Sequence, residues 1–158
     1  MYEWISKNIA VYLIVAVLSL IPCALSGCGD QGYTEAEENT SQTVSSKQIA
    51  EAVEECIKSR AAANNGIFIA KDEKTGETLE LMLKKVYTKT SGKVGDNQYF
   101  ACAEFVARDG EVYDLDVYVE GKKPESLRFT KFSIHKKGGV ERYTWFEVDG
   151  ICRKKMIE

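Results

Sequence analysis

The sequence predicts an α+β domain in which one amphipathic helix packs on a curved antiparallel sheet of about six strands. Residues 45–66 have helical periodicity between recognisable start and stop signals, whereas apolar and polar residues alternate with a period of two after Gly66. Glycine-containing turns separate the alternating runs, which is typical of antiparallel strands joined by hairpins.

The composition limits the classes of function. With 158 residues, the chain has room for one domain and a targeting segment. A net charge of −3 argues against a general nucleic-acid binder, which needs a basic surface to neutralise phosphates. The sequence contains no Gly-rich phosphate loop, zinc-binding histidine pair or nucleophile elbow. We therefore assign no catalytic residue, metal ligand or cofactor from a motif.

Residues 1–27 have the pattern of a secretory signal peptide. A short polar start containing Lys7 precedes the apolar run IAVYLIVAVLSLIPCAL at residues 9–25, and small residues follow it. The apolar run is shorter than the stretch of about 20 residues that a membrane span needs. An uncleaved signal anchor is the alternative interpretation.

The segment Leu25-Ser26-Gly27-Cys28 resembles the lipobox of bacterial lipoproteins. This resemblance covers only the first 28 residues of the chain. It implies cleavage before Cys28, transfer of diacylglycerol to the Cys28 thiol, and acylation of the new amino terminus. Two or three acyl chains anchor a protein stably where one does not. We therefore expect an exported envelope protein whose bilayer contact is made through Cys28, in either membrane.

Residues 28–45 are predicted to form the lipidated cysteine and a disordered acidic tether. The sequence GDQGYTEAEENTSQTVS contains too little apolar material to offset the entropy lost on ordering. The folded domain is accordingly expected to occupy residues 46–158.

The start of the helix has two local signals. Ser45 and Gln48 have the spacing of a capping box, and Val44 and Ile49 have that of a hydrophobic staple. The sequence NNG at residues 64–66 favours the left-handed conformation that ends helices. We expect a helix of about 18 residues. Its predicted buried stripe contains Ile49, Val53, Cys56 and Ile57.

Strands are expected near residues 67–71, 78–88, 98–107, 111–119, 127–136 and 140–148, with a short last strand through Cys152. The predicted turns are DEKTGE, SGKVGD, RDG, EGKKPE and KGG. One helix followed by an antiparallel meander resembles the cystatin-like or NTF2-like arrangement. This analogy concerns the fold and implies no function.

The hairpin at residues 99–119 has two possible registers. A two-residue loop, Asp109-Gly110, would mix alanines with acidic residues on one face. A three-residue loop, Arg108 to Gly110 with Gly110 in a bulge, instead gives one face that is entirely apolar or aromatic. Because a one-residue slip turns every side chain over, burial of that face selects the second register. Its residues are Tyr99, Ala101, Ala103, Phe105, Tyr113, Leu115, Val117 and Val119.

The opposite face of this hairpin, which we call the outer face, is acidic. Glu104 lies opposite Asp114 in the selected register, and like charges in that position are unfavourable. Basic residues nearby are therefore expected to compensate. The last predicted hairpin directs Phe132, Ile134, Tyr143 and Trp145 toward the core. Outer-face residues are then Cys102, Glu104, Asp114, Asp116, Lys131, Ser133, His135, Arg142 and Thr144, with Lys84 also pointing outward.

The outer face has two interpretations. A solvated surface of interlaced charges is one. A cleft is the other, in which Glu104 and Asp114 form a carboxylate pair with one raised pKa and His135 acts as general acid or base. A divalent cation held by Glu104, Asp114 and Asp116 is a variant of the cleft. The candidate binding face consists of Glu104, Asp114, Asp116, Lys131, His135 and Arg142.

Three cysteines remain after the predicted lipidation site, in a compartment where disulfides persist. An odd number allows at most one pair. Cys56 is predicted to face the core and Cys102 the outer face, which disfavours their pairing. The candidate disulfide therefore joins Cys152 to Cys56 or to Cys102, and three free thiols are the alternative.

The function predicted from these observations is a non-enzymatic binding module for a peptide, an envelope protein or a small ligand, and not for nucleic acid. One alternative is a small NTF2-like enzyme that uses Glu104, Asp114, Asp116 and His135. Another is a structural or assembly subunit of an envelope complex. A pocket lined by those four residues favours the enzyme, whereas an exposed apolar patch or a dimer interface favours the subunit.

Overall fold

The computed structural model describes residues 43–157, so the predicted signal peptide, the lipobox and most of the tether lie outside the described residues. Within residues 43–157, no helix combines the length and the apolar character needed to cross a bilayer. Helix α1 spans Ser46–Ala62, and a short 3-10 turn spans Pro124–Ser126. The strands are β1 (Phe68–Lys71), β2 (Thr78–Gly95), β3 (Gln98–Ala107), β4 (Val112–Glu120), β5 (Arg128–Lys137), β6 (Val140–Glu141), β7 (Tyr143–Val148) and β8 (Ile151–Met156).

Helix α1 begins with the predicted capping box. The Ser45 hydroxyl accepts a hydrogen bond from the Gln48 N–H at 3.3 Å, and the Gln48 side-chain oxygen accepts from the Ser45 N–H at 2.9 Å. These bonds satisfy donors that the first helical turn leaves without an intrahelical partner. The helix has 17 residues and buries Ile49, Ala50, Val53, Ile57 and Ala61, while Cys56 is half-buried.

Strands β1 to β6 form one antiparallel sheet in chain order. Helix α1 packs on one face of this sheet, and the core between them includes Val53, Ile57, Phe105 and Leu115. The predicted α+β arrangement of one helix on a six-stranded antiparallel sheet is therefore confirmed.

The predicted register of the β3–β4 hairpin is confirmed. Phe105 lies opposite Tyr113, and Glu104 lies opposite Asp114. Gly110 adopts a φ of +88°, a left-handed conformation that glycine reaches without the penalty a Cβ would cause. This conformation closes the three-residue loop, so the apolar face meets α1 and the acidic residues lie on the outer face.

The predicted end of the second strand, near residue 88, is wrong. Strand β2 continues to Gly95, because register shifts along its pairing with β3 absorb extra residues. The segment SGKVGD is therefore mostly strand, and the chain reverses at residues 96–97.

The strand predicted over residues 140–148 is divided. Strand β6 pairs only with Lys136 and Lys137 of β5, and the chain then leaves the sheet at Arg142. Strand β7 pairs instead with β8 in a separate two-stranded sheet. The predicted face shared by Phe132, Ile134, Tyr143 and Trp145 is therefore wrong for the last two residues.

Strands β7 and β8, which we call the covering hairpin, pack on the outer face of the main sheet. The Trp145 ring stacks on Phe100 with centroids 4.2 Å apart. On β2, a Cβ added at Gly92 would collide with the Cys152 sulfur of β8. The absence of a side chain at Gly92 therefore allows the close approach of β8.

A buried ion pair holds the chain where it leaves the sheet. Arg142 donates hydrogen bonds from both terminal nitrogens to the two carboxylate oxygens of Asp72, each at 2.7 Å. Asp72 follows β1 and is fully buried, and the Arg142 hydrogen bonds hold the pKa of its carboxyl far below the usual range. Phe68 of β1 and Phe132 of β5 also meet edge to face, with ring centroids 5.7 Å apart. The Asp72–Arg142 ion pair and the Phe68–Phe132 contact therefore join the β1 edge of the sheet to its β5–β6 edge.

Candidate functional site

Asp116 is the centre of the outer face. Its side chain is fully buried beneath the covering hairpin. One carboxylate oxygen, Oδ2, accepts hydrogen bonds from the Tyr143 hydroxyl at 2.6 Å and from the Trp145 indole N–H at 2.9 Å. Both donors come from β7, so the buried carboxylate fixes the position of the covering hairpin.

Aromatic rings and one lysine enclose Asp116. Burial, reinforced by the Asp116 charge, raises the pKa of the Tyr143 hydroxyl far above its usual value, so this group remains a donor. The Lys154 ammonium lies 3.9 Å from the centroid of the Tyr143 ring and donates to the Ser133 hydroxyl at 2.8 Å. Burial lowers the pKa of Lys154. The surrounding aromatic rings therefore replace part of the water around the Lys154 ammonium with cation–π contacts.

The other carboxylate oxygen of Asp116, Oδ1, faces Cys102 and His135. Cys102 lies directly opposite Asp116 on β3, and His135 lies at a register shift of β5. The His135 Nδ1 atom is 3.8 Å from Asp116 Oδ1, too far for a hydrogen bond. Within residues 43–157, Asp116 Oδ1 and both His135 ring nitrogens are buried and have no hydrogen-bond partner. Burial and the nearby carboxylates raise the pKa of the Cys102 thiol.

Glu104 and Asp114 form the more exposed part of the outer face. Glu104 accepts a hydrogen bond from the Tyr87 hydroxyl at 2.6 Å and lies 3.5 Å from the Lys85 ammonium. The Tyr87 hydrogen bond is the largest cause that lowers the Glu104 pKa, whereas burial raises the pKa of Asp114. The environments of these opposed carboxyl groups therefore favour different protonation states.

The predicted basic residues are dispersed. Lys131 lies with its ammonium 5.1 Å from the centroid of the Tyr118 ring, and Arg142 binds Asp72 away from Glu104 and Asp114. Lys84 is exposed, while its neighbour Lys85 contacts Glu104 because β2 shifts register after Leu83. The structure therefore brings Asp116 and His135 together with Cys102, and leaves Arg142 outside this group.

The three cysteines of the described region, Cys56, Cys102 and Cys152, are free thiols. The candidate disulfide from Cys152 to Cys56 or Cys102 stays a prediction.

A groove runs between the covering hairpin and the β5–β6 edge of the main sheet. It encloses about 810 Å³. Three apolar residues at the groove are largely exposed, namely Val140 at 72%, Met156 at 67% and Ile157 at 49%. Its charged lining residues are four basic and two acidic ones: Lys74, Lys137, Arg142, Lys154, Glu73 and Glu141.

Sequence reasoning missed Tyr143, Trp145 and Lys154 as outer-face residues. A signal was present in β3, whose sequence QYFACAEFVA is apolar at nearly every position and therefore on both faces. Near-continuous apolar character in a strand indicates cover on both faces. Phe100 of β3 and Tyr118 of β4 alternate onto the outer face, and these aromatic residues therefore indicated a second layer.

Comparison of the chain with family models, curated proteins and solved structures finds no match.

Proposed function

We propose that this chain is a membrane-anchored envelope lipoprotein whose α+β domain is a non-enzymatic binding module. The apolar run at residues 9–25 and the lipobox-like segment ending in Cys28 support the export and the anchor. Residues 29–42 serve as the polar tether between bilayer and domain, since Val44 is buried in the core and Ser45 caps α1. One helix on an antiparallel sheet supports a cystatin-like or NTF2-like arrangement for the domain.

The groove beside the covering hairpin is the observation that carries the binding role. Val140, Met156 and Ile157 expose apolar surface on a concave part of the domain, where burial by a partner would be favourable. Concave, largely apolar surfaces with a few polar groups are typical of binding sites. The groove therefore offers both the driving force and the shape for a ligand.

The charge of the groove indicates the class of ligand. Four basic and two acidic side chains line it, but Arg142 is already paired with the buried Asp72. Three lysines and two glutamates remain, which leaves an excess of one positive charge in a chain that is net negative at −3. A local excess of positive charge steers and selects acidic partners. We therefore propose that the groove takes a segment of a partner protein that carries both apolar and acidic side chains.

The environment of the predicted catalytic groups supports binding over chemistry. Asp116 is held by Tyr143 and Trp145, and it lies with His135 beneath the covering hairpin. A general acid or base must come within hydrogen-bond reach of a substrate. Burial beneath the hairpin keeps these two groups from a substrate on the surface.

A second candidate function is a hydrolase-like or isomerase-like activity at Glu104 and Asp114. The observation that favours it is the opposed environments of the pair, since the pKa of Glu104 is lowered and that of Asp114 is raised. If the domain has this activity, Asp114→Asn should abolish a measurable turnover. If the domain is a binding module only, Asp114→Asn should leave binding at the groove unchanged.

The anchor is tested by mass spectrometry of protein extracted from its own membranes. We expect the mature chain to begin at an acylated Cys28 and Cys28→Ala to remain unprocessed. Cys23→Ala is the matched control, because Cys23 lies inside the segment that is removed. An unacylated full-length chain would overturn the anchor.

The groove is tested by photo-crosslinking in cells with a benzophenone amino acid at Val140 or Met156. Met82 on β2, exposed at 42% and outside the groove lining, is the matched control position. We expect a discrete adduct at the groove positions and none at Met82, with the crosslinked peptide both apolar and acidic. An adduct to a second copy of this chain favours the assembly subunit instead, and no adduct at either groove position refutes the binding role.

A further inference from the structure

Three donor atoms of different chemistry converge beneath the covering hairpin. Cys102 of β3, Asp116 of β4 and His135 of β5 lie on neighbouring strands of the outer face. One ligand atom from each of them, a sulfur, an oxygen and a nitrogen, lies within 4.8 Å of the other two, and all three residues are buried. We propose that Cys102, Asp116 and His135 bind a divalent cation of the zinc class.

The spacing of the donors suits such an ion. Zinc lies about 2.0–2.2 Å from nitrogen and oxygen ligands and about 2.3 Å from sulfur. At a tetrahedral angle, a nitrogen and an oxygen ligand are then about 3.3–3.5 Å apart, and a sulfur lies about 3.5–3.7 Å from either. The separation of 3.8 Å between Asp116 Oδ1 and His135 Nδ1 is about 0.3 Å longer than this. The remaining pairs, at up to 4.8 Å, would close by up to about 1.2 Å when the ion binds.

Unpaired polar atoms point independently to a ligand. Asp116 is fully buried and His135 is 7% exposed, yet Asp116 Oδ1 and both nitrogens of His135 have no hydrogen-bond partner within residues 43–157. A buried polar atom without a partner is costly. A cation bound to Asp116 Oδ1 and one His135 nitrogen would relieve most of that cost.

The charges and the donor types favour zinc over calcium or magnesium. A thiolate and a carboxylate together balance the two positive charges of the cation, so the occupied site is neutral and compatible with burial. Sulfur and imidazole ligands select zinc-class ions, whereas calcium and magnesium prefer oxygen. The predicted cation site of Glu104, Asp114 and Asp116 was an oxygen-only alternative and shares only Asp116 with this one.

The surrounding residues hold the ligands in place. Tyr143 and Trp145 donate to the second oxygen of Asp116, and the His135 ring stacks on Tyr143 with centroids 4.8 Å apart. Hydrogen bonds and packing around metal ligands commonly fix their orientation in this way. Three protein ligands leave one coordination position for water or another exogenous group. The cation would join β3, β4 and β5 beneath the covering hairpin.

The test is a cobalt titration of the full chain, purified in detergent under reducing conditions and stripped with a chelator. Co²⁺ replaces Zn²⁺ and reports a cobalt–thiolate bond through a charge-transfer band in the near ultraviolet. We expect a saturable band at one Co²⁺ per chain that Zn²⁺ displaces. We also expect Zn²⁺ at about 100 times its Kd to raise the Tm by about 10 °C.

Two variants and one control assign the ligands. Cys102→Ala should abolish the band, and Cys152→Ala should retain it because Cys152 lies outside the cluster. His135→Gln should weaken binding by at least about 100-fold, above the effect usual for outer residues of a metal site, and it decides the result if Cys102→Ala fails to fold. The proposal is refuted if the unmodified chain shows no saturable band, or if folded Cys102→Ala or His135→Gln binds as the unmodified chain does.

Discussion

The ion pair between Arg142 and Asp72 provides the sharpest test of how the fold is held together. We propose to replace Arg142 with methionine, which keeps much of the length of the side chain and removes both donors to the buried carboxylate. Asp72 would then be fully buried with backbone donors alone, among them the Lys74 N–H at 2.8 Å. Loss of one partner from a buried pair costs about 3–5 kcal/mol. Because the Arg142 side chain is 16% exposed, we expect the lower end, about 3 kcal/mol.

The assay is urea unfolding of the full chain in detergent, followed by tryptophan fluorescence. Arg128→Met is the matched control, since Arg128 donates only to backbone carbonyls near the surface and its loss should change the free energy of unfolding by less than about 0.5 kcal/mol. If Arg142→Met lowers the free energy of unfolding by less than about 1 kcal/mol, the ion pair does not secure the end of the sheet as argued.

The pair also predicts the dependence of stability on pH. The pKa of Asp72 is lower in the folded state than in the unfolded chain, so the unfolded chain binds the proton more readily at acid pH. The contribution of the pair is fully present above the unfolded pKa of about 4 and is lost as the pH falls toward the folded value. The stability difference between the unmodified chain and Arg142→Met should therefore shrink on acidification, and a difference that grows would contradict this account.

Three further changes test the outer face and the helix. Tyr143→Phe removes a donor to the buried Asp116 carboxylate and should lower the free energy of unfolding by about 1.5–3 kcal/mol, measured by urea unfolding; an unchanged midpoint would show that the covering hairpin does not depend on this bond. Tyr87→Phe should raise the pKa of Glu104 toward its ordinary value, since the Tyr87 hydrogen bond is the main cause that lowers it. A carbon-detected NMR titration measures that pKa. If the pKa of Glu104 in Tyr87→Phe stays as low as in the unmodified chain, a group other than Tyr87 lowers it. Ser45→Ala should reduce stability by about 1 kcal/mol by removing the helix cap, and a loss below a few tenths in urea unfolding would refute the capping role.

Local signals in the sequence predicted the parts of the fold that depend on neighbours along the chain. The Ser45 and Gln48 capping box and the three-residue loop at Gly110 are both present. The β3–β4 register followed because one uniformly apolar face had to be buried, and Glu104 opposite Asp114 came with it. Two residues of the predicted candidate binding face, Asp116 and His135, lie close together in the structure. Arg142, which was predicted on the same face, binds Asp72 instead.

The path of the chain after β6 depends on contacts distant in sequence. An alternating run at residues 140–148 reads as one strand, and nothing local divides it at Arg142. The division follows from Asp72, which is 70 positions away and holds Arg142 at the end of the sheet. Once the chain is held there, Tyr143 and Trp145 reach Asp116 on the outer face rather than the core.

The sequence by itself determined the helix, the antiparallel sheet and which face of it is apolar, because these follow from caps, turns and the period of hydrophobic residues. Only the tertiary structure decided that the covering hairpin encloses Asp116, and that Cys102 and His135 meet its unpaired oxygen. The physical reason is that a buried carboxylate and a buried ion pair are stable only with particular distant partners, and the spacing of residues along one strand carries no information about them.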